Sequence, residues 1–247
     1  MPDPLSPLDR QQSFCFTCSP QVPCFNACCR DLHQVLTPYD VVCLKRYLNL
    51  SSSDFLKRFT ETHTGPGTGL PVVSLRFRDD EDLACPFVTA SGCRVYPARP
   101  ASCRTYPLAR GVSRDRDSGR QTEQWALIRE PHCLGFANGR QQTVDQWVHD
   151  QQLGAYHQAN DALLSLIARK NRSRPGPLPP VESARVFTAL YDLDRFREQL
   201  AAAGPAAIAT IERQRFGLAG EQDDRALLAA AMQWLEKTVF TATARNG

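Results

Sequence analysis

Residues 14–29 read FCFTCSPQVPCFNACC and hold five cysteines in the spacing C-x2-C-x5-C-x3-C-C. Four more cysteines follow in short contexts rich in turn residues: CPF at 85, GCRVY at 93, SCRTYP at 103 and HCLG at 133. With Cys43 the chain has ten cysteines among its 247 residues, and none after residue 133. The first half is therefore predicted to be a cysteine-built unit, and the second half a different kind of structure.

Three explanations for these thiols compete. Disulfides form in oxidising compartments, but the first residues, MPDPLSPLDRQQ, lack the basic flank and apolar run of a secretory signal peptide. A single buried, unreactive cysteine is common in a hydrophobic core. Nine cysteines with Gly, Pro and Arg as sequence neighbours are not typical of such a core. Metal or iron–sulfur ligation suits CxxC spacing in a reducing compartment. The pattern thus favours a cytoplasmic metal-binding protein.

The candidate metal ligands are Cys15, Cys18, Cys24, Cys28, Cys29, Cys85, Cys93, Cys103 and Cys133. Cys28 and Cys29 are adjacent, and adjacent side chains diverge in most backbone conformations, so either one is structural or the two face different sites. Nine thiols suffice for one four-sulfur centre with spares, or for two centres. The spacing is neither that of bacterial ferredoxins nor that of a zinc ribbon, so zinc and an iron–sulfur cluster such as 4Fe-4S both stay open.

Charged and aromatic residues flank these cysteines. Thiolates around a divalent ion leave a negative site, and Arg104 directly follows Cys103. Guanidinium groups here are predicted to donate to the sulfurs and to offset their charge. His132 directly precedes Cys133. Three roles are open for it: ligand of a mixed site, supporting hydrogen-bond donor, or ordinary loop residue. The predicted supporting residues are Arg99, Arg104, Tyr96, Tyr106 and His132.

The set F-C-x2-C … C-x3-C-C, T-P-x-D, C-P-F, G-C-x2-Y-x2-R-P-x2-C-R-x-Y-P and C-x-G resembles the YkgJ-type cysteine-cluster family, also described as the CxxCxxCC, zinc- or iron-chelating, domain. The matching stretches are 14–29, 37–40, 85–87, 92–107 and 133–135. The most specific of them is YPARPASCRTYP, at 96–107.

The resemblance implies metal chelation by the cysteines and assigns no reaction. It implies as ligands Cys15, Cys18, Cys28, Cys29, Cys85, Cys93, Cys103 and Cys133. Cys24 departs from the shortest form of the pattern, and Cys43 has no counterpart in it. Flagellin lysine N-methylases carry a similar cluster, with an iron–sulfur centre implied there.

The predicted fold is α+β: a small, loop-rich domain organised by cysteines and metal, with short strands and several helices, followed by a C-terminal helical segment. The predicted boundaries are a flexible N-terminus at 1–13, the metal domain at 14–170, a Pro-rich linker at 171–180 and a helical region at 181–247. Helix starts are predicted at Thr37-Pro38 and at Thr143, the latter helix reaching about Arg169. Cys43 lies in the first of these helices among apolar residues and is expected to pack in a core.

The leading functional hypothesis is a cytosolic protein that chelates zinc or an iron–sulfur cluster through cysteine thiolates. The alternatives are a metal-dependent modifying or redox enzyme, similar to the flagellin methylases, and a thiol-based metal chaperone or redox sensor. A net charge of +3 and the lack of a long apolar run favour neither nucleic acid nor membrane. The C-terminal helices are predicted either to pack on the metal domain or to bind a protein partner.

Overall fold

Short antiparallel strands and helices of very unequal length make up the chain, which confirms the α+β prediction. The computed structural model describes residues 5–79, 82–115, 118–137, 139–203 and 223–241. Its helices are α1 (Pro38–Tyr47), α2 (Ser52–Phe59), α3 (Ala101–Thr105), α4 (Val144–Asp150), α5 (Gly154–Ser173), α6 (Pro180–Leu190), α7 (Leu193–Ala203) and α8 (Asp224–Thr238).

The strands are β1 (Leu5–Pro7), β2 (Ser13–Phe16), β3 (Val35–Leu36), β4 (Thr60–Thr64), β5 (Pro71–Leu75), β6 (Val88–Thr89), β7 (Gly92–Cys93), β8 (Leu108–Arg114), β9 (Gln121–Ile128) and β10 (Arg140–Thr143). They pair antiparallel in four small sheets, with the orders β1-β9-β8, β10-β2, β3-β5-β4 and β6-β7.

The chain divides into two compact units that alternate along the sequence. The first unit comprises residues 1–32 and 77–158, and the second comprises residues 33–76 and 159–247. This division differs from the predicted boundaries, because α1 and α2 pack with the C-terminal helices α7 and α8. Residues 5–7, expected to be flexible, instead form a strand on β9. Residues 1–4 of the predicted flexible start, and residues 204–222 and 242–247 of the predicted helical region, lie outside the described residues.

Local capping chemistry starts two helices where the sequence predicts. In α1 the Thr37 hydroxyl accepts from the Asp40 N–H while the Asp40 carboxylate accepts from the Thr37 N–H, and Pro38 occupies the first turn. Thr143 and Gln146 form the same reciprocal pair at the start of α4. The predicted continuous helix from Thr143 is wrong, however, because the chain breaks after Asp150 at Gln152, which has φ 54°.

The Pro-rich segment is shorter than predicted, since α5 continues to Ser173 and α6 begins at Pro180. Within the second unit the buried Lys170 ammonium donates to the carbonyls of Thr68 and Gly176. Gly69 has φ +64°, and a Cβ there would run into the Gly176–Pro177 backbone. The segment therefore packs within the unit.

An aromatic core in the first unit supports the cysteine-rich loops. Phe14 and Phe16 are buried on one face of β2, with Leu108, Trp125, Leu127 and Val144 around them. Edge-to-face contacts join Phe16 to Tyr106 and to Trp147, with ring centroids 5.8 and 5.7 Å apart. Side chains alternate along a strand, so Cys15 lies on the opposite face of β2 from the two phenylalanines.

The second unit buries the apolar faces of the C-terminal helices. Val186, Leu190, Leu228 and Leu235 are each at most 3% exposed, as α6, α7 and α8 pack on one another and on α1 and α2. Binding of a partner through these helices stays a prediction. Of the helices described, none combines the length and the apolar character that crossing a membrane requires.

Candidate metal centre

Four thiols line one small cavity in the first unit. Its walls are Phe16, Thr17, Cys18, Val22, Cys24, Cys28, Tyr106, His132, Cys133 and Gly135. The volume open to the centre of a water-sized sphere is about 20 Å³, which is roughly the room needed by one water molecule. The cavity is thus of the size of one small particle, with four cysteines among the residues around it.

Three chain segments carry the four thiols to this cavity. Cys18 follows the end of β2, whereas Cys24 and Cys28 lie in a run of turns closed by hydrogen bonds from Val22 N–H to Ser19 O and from Ala27 N–H to Cys24 O, both 2.9 Å. Cys133 lies in the loop before β10, turned by a 3.0 Å hydrogen bond from its N–H to Glu130 O.

Two glycines let the Cys133 loop approach β2 closely. The Thr17 N–H donates to Gly135 O at 2.9 Å, and a Cβ on Gly135 would run into the Thr17 carbonyl and the Phe16 ring. A Cβ on Gly139 would run into the backbone of Phe16. Only a residue without a side chain fits at either position, so Gly135 and Gly139 lie against the end of β2, near Cys18.

The charge balance of this cavity is unfavourable for thiolates alone. Burial and then the neighbouring thiols of Cys28, Cys24 and Cys133 raise the pKa of Cys18, which Arg99 partly lowers, to about 11. The Leu134 N–H donates to Cys24 Sγ at 3.1 Å. Sulfurs that repel each other's charge while accepting N–H donors are the donor set that a bound cation stabilises.

The Tyr106 hydroxyl is a further polar group at this cavity. It is buried next to Cys133 and Glu130 and has no hydrogen-bond partner of normal geometry among the described residues. Burial and the neighbouring Cys133 raise its pKa. A buried hydroxyl without a partner is costly, and a thiolate held on a cation would give it an acceptor. The residues present therefore fit a metal ion with four sulfur ligands.

A second group of thiols is built on the hairpin of β6 and β7. Cys85 precedes this hairpin, Cys93 ends it, and Cys29 lies alongside, since the Cys85 N–H donates to Cys29 O at 2.9 Å. Cys29 interacts electrostatically with the thiols of both Cys103 and Cys85, and Cys85 with that of Cys93. Burial raises the pKa of Cys85 and of Cys93, against N–H groups that donate to both sulfurs.

The adjacent Cys28 and Cys29 take part in different groups. Cys28 lines the cavity with Cys18, Cys24 and Cys133, whereas Cys29 has Cys85 and Cys103 as its neighbours. Their two thiols share a hydrogen bond, which lowers the pKa of Cys28 to about 7 and raises that of Cys29. This hydrogen bond keeps the two thiols next to each other, so the expectation that each faces a separate site stays a prediction.

The two arginines of the specific motif have different surroundings. Arg99 lies near the thiols of Cys93 and Cys103, its guanidinium 3.7 Å from the centre of the Tyr96 ring, and burial lowers its pKa. Arg104 instead donates to the carbonyls of Arg99 and Gln151, at 3.0 and 2.9 Å, and to that of Pro97. The predicted role in offsetting sulfur charge suits Arg99, while these Arg104 donors are occupied by backbone.

The remaining predicted residues lie at or beyond the edge of these groups. His132 is half exposed and lines the cavity, with its Nε2 3.6 Å from Glu130 Oε2, whereas Tyr96 is largely exposed. The Cys15 thiol donates to Gly139 O at 2.8 Å, on the strand pair β2–β10, outside both groups. Cys43 is half-buried on α1, in the second unit, next to Tyr39.

All ten cysteines are among the described residues, and none of them is in a disulfide. Within the part of the chain that the structure describes, no three Cys, His, Asp or Glu side chains already stand in position to hold a metal ion. Metal binding therefore requires the cysteine side chains to move from the positions they have here.

Comparison with known proteins finds one family for the cysteine-rich region. Residues 17–133 match the family model CxxCxxCC, which is described as a "Putative zinc- or iron-chelating domain". The matched range contains nine cysteines, the eight of the two groups and Cys43, and leaves Cys15 outside. No curated protein and no solved structure matches the chain. The match supports a metal cofactor, zinc or iron, bound by this region.

Proposed function

Because residues 17–133 form a CxxCxxCC domain, we propose that this protein is a metal-binding protein whose Cys18, Cys24, Cys28 and Cys133 hold one zinc ion as thiolates. The cavity that these four thiols line carries the proposal. Thiolates select zinc and iron–sulfur clusters among the common biological metals. We propose one ion here because four thiols are the full ligand set of a structural zinc ion.

The proposed role of this ion is to fold the first unit. Four thiolates fill the four positions that zinc takes in structural sites. They come from the ends of β2, the 19–29 turns and the loop before β10, so the ion cross-links segments that have few regular hydrogen bonds of their own. Structural zinc binding contributes ~10–16 kcal/mol in small domains, a large amount for a unit whose sheets have only two or three short strands.

The alternative functions need a metal centre that is less completely enclosed by protein ligands than the proposed zinc site. A modifying or redox enzyme of the flagellin-methylase kind needs a coordination position for substrate or an electron-transfer cluster, and a chaperone needs to release its metal. A four-thiolate zinc ion offers neither an open position nor an accessible redox step.

Metal analysis of anaerobically purified protein tests the proposal. We expect zinc, and we expect Cys24→Ser to remove one ion per chain relative to the natural sequence, because a hydroxyl is a weaker ligand than a thiolate. Cys43→Ala is the matched control and should keep the full metal content, since Cys43 is in the other unit.

Three outcomes would count against the proposal. Iron with acid-labile sulfide and broad absorption near ~400 nm would replace zinc by an iron–sulfur cluster. Protein that binds no metal under reducing conditions, or that loses the ion on Cys43→Ala but not on Cys24→Ser, would refute chelation at this cavity.

A further inference from the structure

Cys28 and Cys29 are consecutive residues of one tight turn in the first unit. The turn is a 3-10 helix, Ala27–Cys29, which Asn26 opens with φ 69°. The Cys29 N–H donates to Asn26 O at 3.0 Å, and Asn26 Nδ2 donates to Thr89 O at 3.1 Å. The backbone that carries the two cysteines is therefore held both by its own turn and by the hairpin of β6 and β7.

The segment before this hairpin holds the far side of the same turn. The Cys85 N–H donates to Cys29 O at 2.9 Å. One residue further along, Arg30 pairs with Ala84 in an antiparallel bridge. The chain is thus fixed immediately before and immediately after the two cysteines, so their position relative to each other is defined by the fold.

The thiols of Cys28 and Cys29 already contact each other. They share a hydrogen bond, although adjacent side chains diverge in most backbone conformations. Both cysteines are half-buried and free of disulfides, and the residues on either side of the pair are exposed. A small oxidant can therefore reach two thiols that lie next to each other.

A disulfide between adjacent cysteines is strained, which makes it easy to reverse. Neighbouring Cα atoms are about 3.8 Å apart, whereas disulfides ordinarily join Cα atoms about 4.4–6.8 Å apart. Strained disulfides are more readily reduced than relaxed ones, and they are typically the labile or regulatory ones. A bond between these two sulfurs suits a switch better than a permanent cross-link.

We propose that Cys28 and Cys29 form a redox-sensitive switch, in which a peroxide joins their hydrogen-bonded sulfurs in a disulfide and a small thiol reduces it again. One sulfur attacks the O–O bond of hydrogen peroxide and becomes a sulfenic acid, while the second oxygen leaves as water with the thiol proton. The other sulfur then displaces the sulfenic oxygen, which leaves as a second water. The two thiols lose two electrons and two protons, and two molecules of the reducing thiol return them as they form their own disulfide.

The switch goes beyond the proposed function, since it needs only the two thiols that contact each other here. Its consequence for the metal does rest on the proposed function, in which Cys28 is one of four zinc ligands at the cavity. A sulfur in a disulfide carries no thiolate charge. Oxidation and zinc binding therefore exclude each other at Cys28, so a peroxide releases the ion and a thiol allows it to return.

Mass spectrometry of the full chain tests the disulfide directly. Reduced protein freed of metal by chelator is treated with hydrogen peroxide. Its free thiols are blocked with a light alkylating reagent, and its disulfides are then reduced and labelled with a heavy one. Trypsin releases residues 11–30 as one peptide with five cysteines, and fragmentation separates them. We expect equal heavy label on Cys28 and Cys29, at least about tenfold above that on Cys15.

Two variants accompany the natural sequence. In Cys29→Ser the heavy label on Cys28 should fall at least about tenfold, because the sulfur that completes the disulfide is gone. Cys43→Ala is the matched control and should label like the natural sequence, since Cys43 is in the other unit. The natural sequence by itself decides the question if Cys29→Ser does not fold, because its peptide identifies the joined cysteines.

Three outcomes would overturn the switch. The first is heavy label on Cys28 together with Cys18 or Cys24 in place of Cys29. The second is a disulfide between two chains. The third is Cys28 oxidised to a sulfinic acid while Cys29 takes the light label, because the neighbouring thiol would then have failed to intercept the sulfenic acid.

Zinc-loaded protein separates this inference from the proposed function. We expect bound zinc to slow the heavy labelling of Cys28 at least about tenfold. Excess peroxide should release the ion, and a thiol reductant should restore its binding. A disulfide that forms equally fast with and without bound zinc would uphold the switch and would remove Cys28 from the proposed ligands. Protein that binds no zinc would overturn the proposed function, while the metal-free experiment would still decide the switch.

Discussion

Replacement of Arg104 by alanine should destabilise the first unit strongly without removing a group that faces sulfur. Arg104 is 4% exposed, and its guanidinium donates to the carbonyls of Arg99, Gln151 and Pro97. It also lies over the Tyr156 ring, 4.8 Å from its centre. These contacts tie α3 and the 96–99 turn to the break after α4.

The magnitude follows from the donors that are lost. A hydrogen bond to a charged group contributes ~1.5–3 kcal/mol, and three carbonyls lose their donor together. Water that enters the space left by the side chain replaces some of the lost hydrogen bonds. We therefore expect the free energy of unfolding to fall by ~3–5 kcal/mol, at the upper end of the losses that single substitutions cause. Arg104→Lys should recover less than half of the loss, because a single ammonium does not reach three separated carbonyls as the planar guanidinium does.

Urea denaturation of the metal-loaded protein measures this change, with Arg114→Ala as the matched control. Arg114 is exposed on β8 and donates to Gly119 O at 3.1 Å, so its removal should change the free energy of unfolding by less than ~0.5 kcal/mol. Metal content of folded Arg104→Ala should equal that of the natural protein. A loss below ~1 kcal/mol, or equal losses for Arg104→Ala and Arg114→Ala, would refute the reasoning.

Three further predictions concern other parts of the chain. Cys15→Ser should keep the full metal content, because its thiol donates to a backbone carbonyl that a hydroxyl also satisfies; loss of an ion would place Cys15 among the ligands. Burial alone would raise the pKa of Asp194, but Lys45 and Arg197 outweigh it and hold the pKa at about 2, against 3.8 ordinarily. Unfolding of the second unit should therefore become easier as the pH falls from about 4 towards 2, and Asp194→Asn should flatten that dependence in acid titrations followed by circular dichroism. A chain ending at Asn171 lacks α6, α7 and α8, so we expect it to keep its metal but to aggregate in light scattering, since α1 and α2 lose their packing partners; a monomeric, cooperatively folding product would contradict this.

The sequence predicts a structural feature correctly where the residues that determine the feature are close together in the chain. The reciprocal hydrogen bonds of Thr37 with Asp40 involve residues three apart, so the start of α1 could be read directly from the sequence. The same holds for Thr143 and Gln146. The break at Gln152 could not be read in this way, because no glycine or proline marks its positive φ.

The grouping of the cysteines required tertiary contacts that spacing does not encode. Cys133 reaches Cys18 because the Thr17 N–H bonds to Gly135 O, a pairing across more than a hundred residues. The position of Arg104 was also unpredictable, since its three acceptors are backbone carbonyls, which every residue carries. Cys15 is different, because Phe14 and Phe16 on either side of it form an alternation typical of a strand, a signal that its prediction as a ligand did not use.

The alternation of the two units along the sequence has a consequence for synthesis on the ribosome. Cys18, Cys24 and Cys28 are made early, but their fourth partner, Cys133, is made 105 residues after Cys28. At about 5–20 residues per second, these thiols wait on the order of 5–20 s for it, with all of residues 33–76 emerging in between. During that interval the nascent chain presents reduced, unligated sulfur to the surrounding solution, so its yield should depend on reductant and zinc supply during translation more than on their supply afterwards.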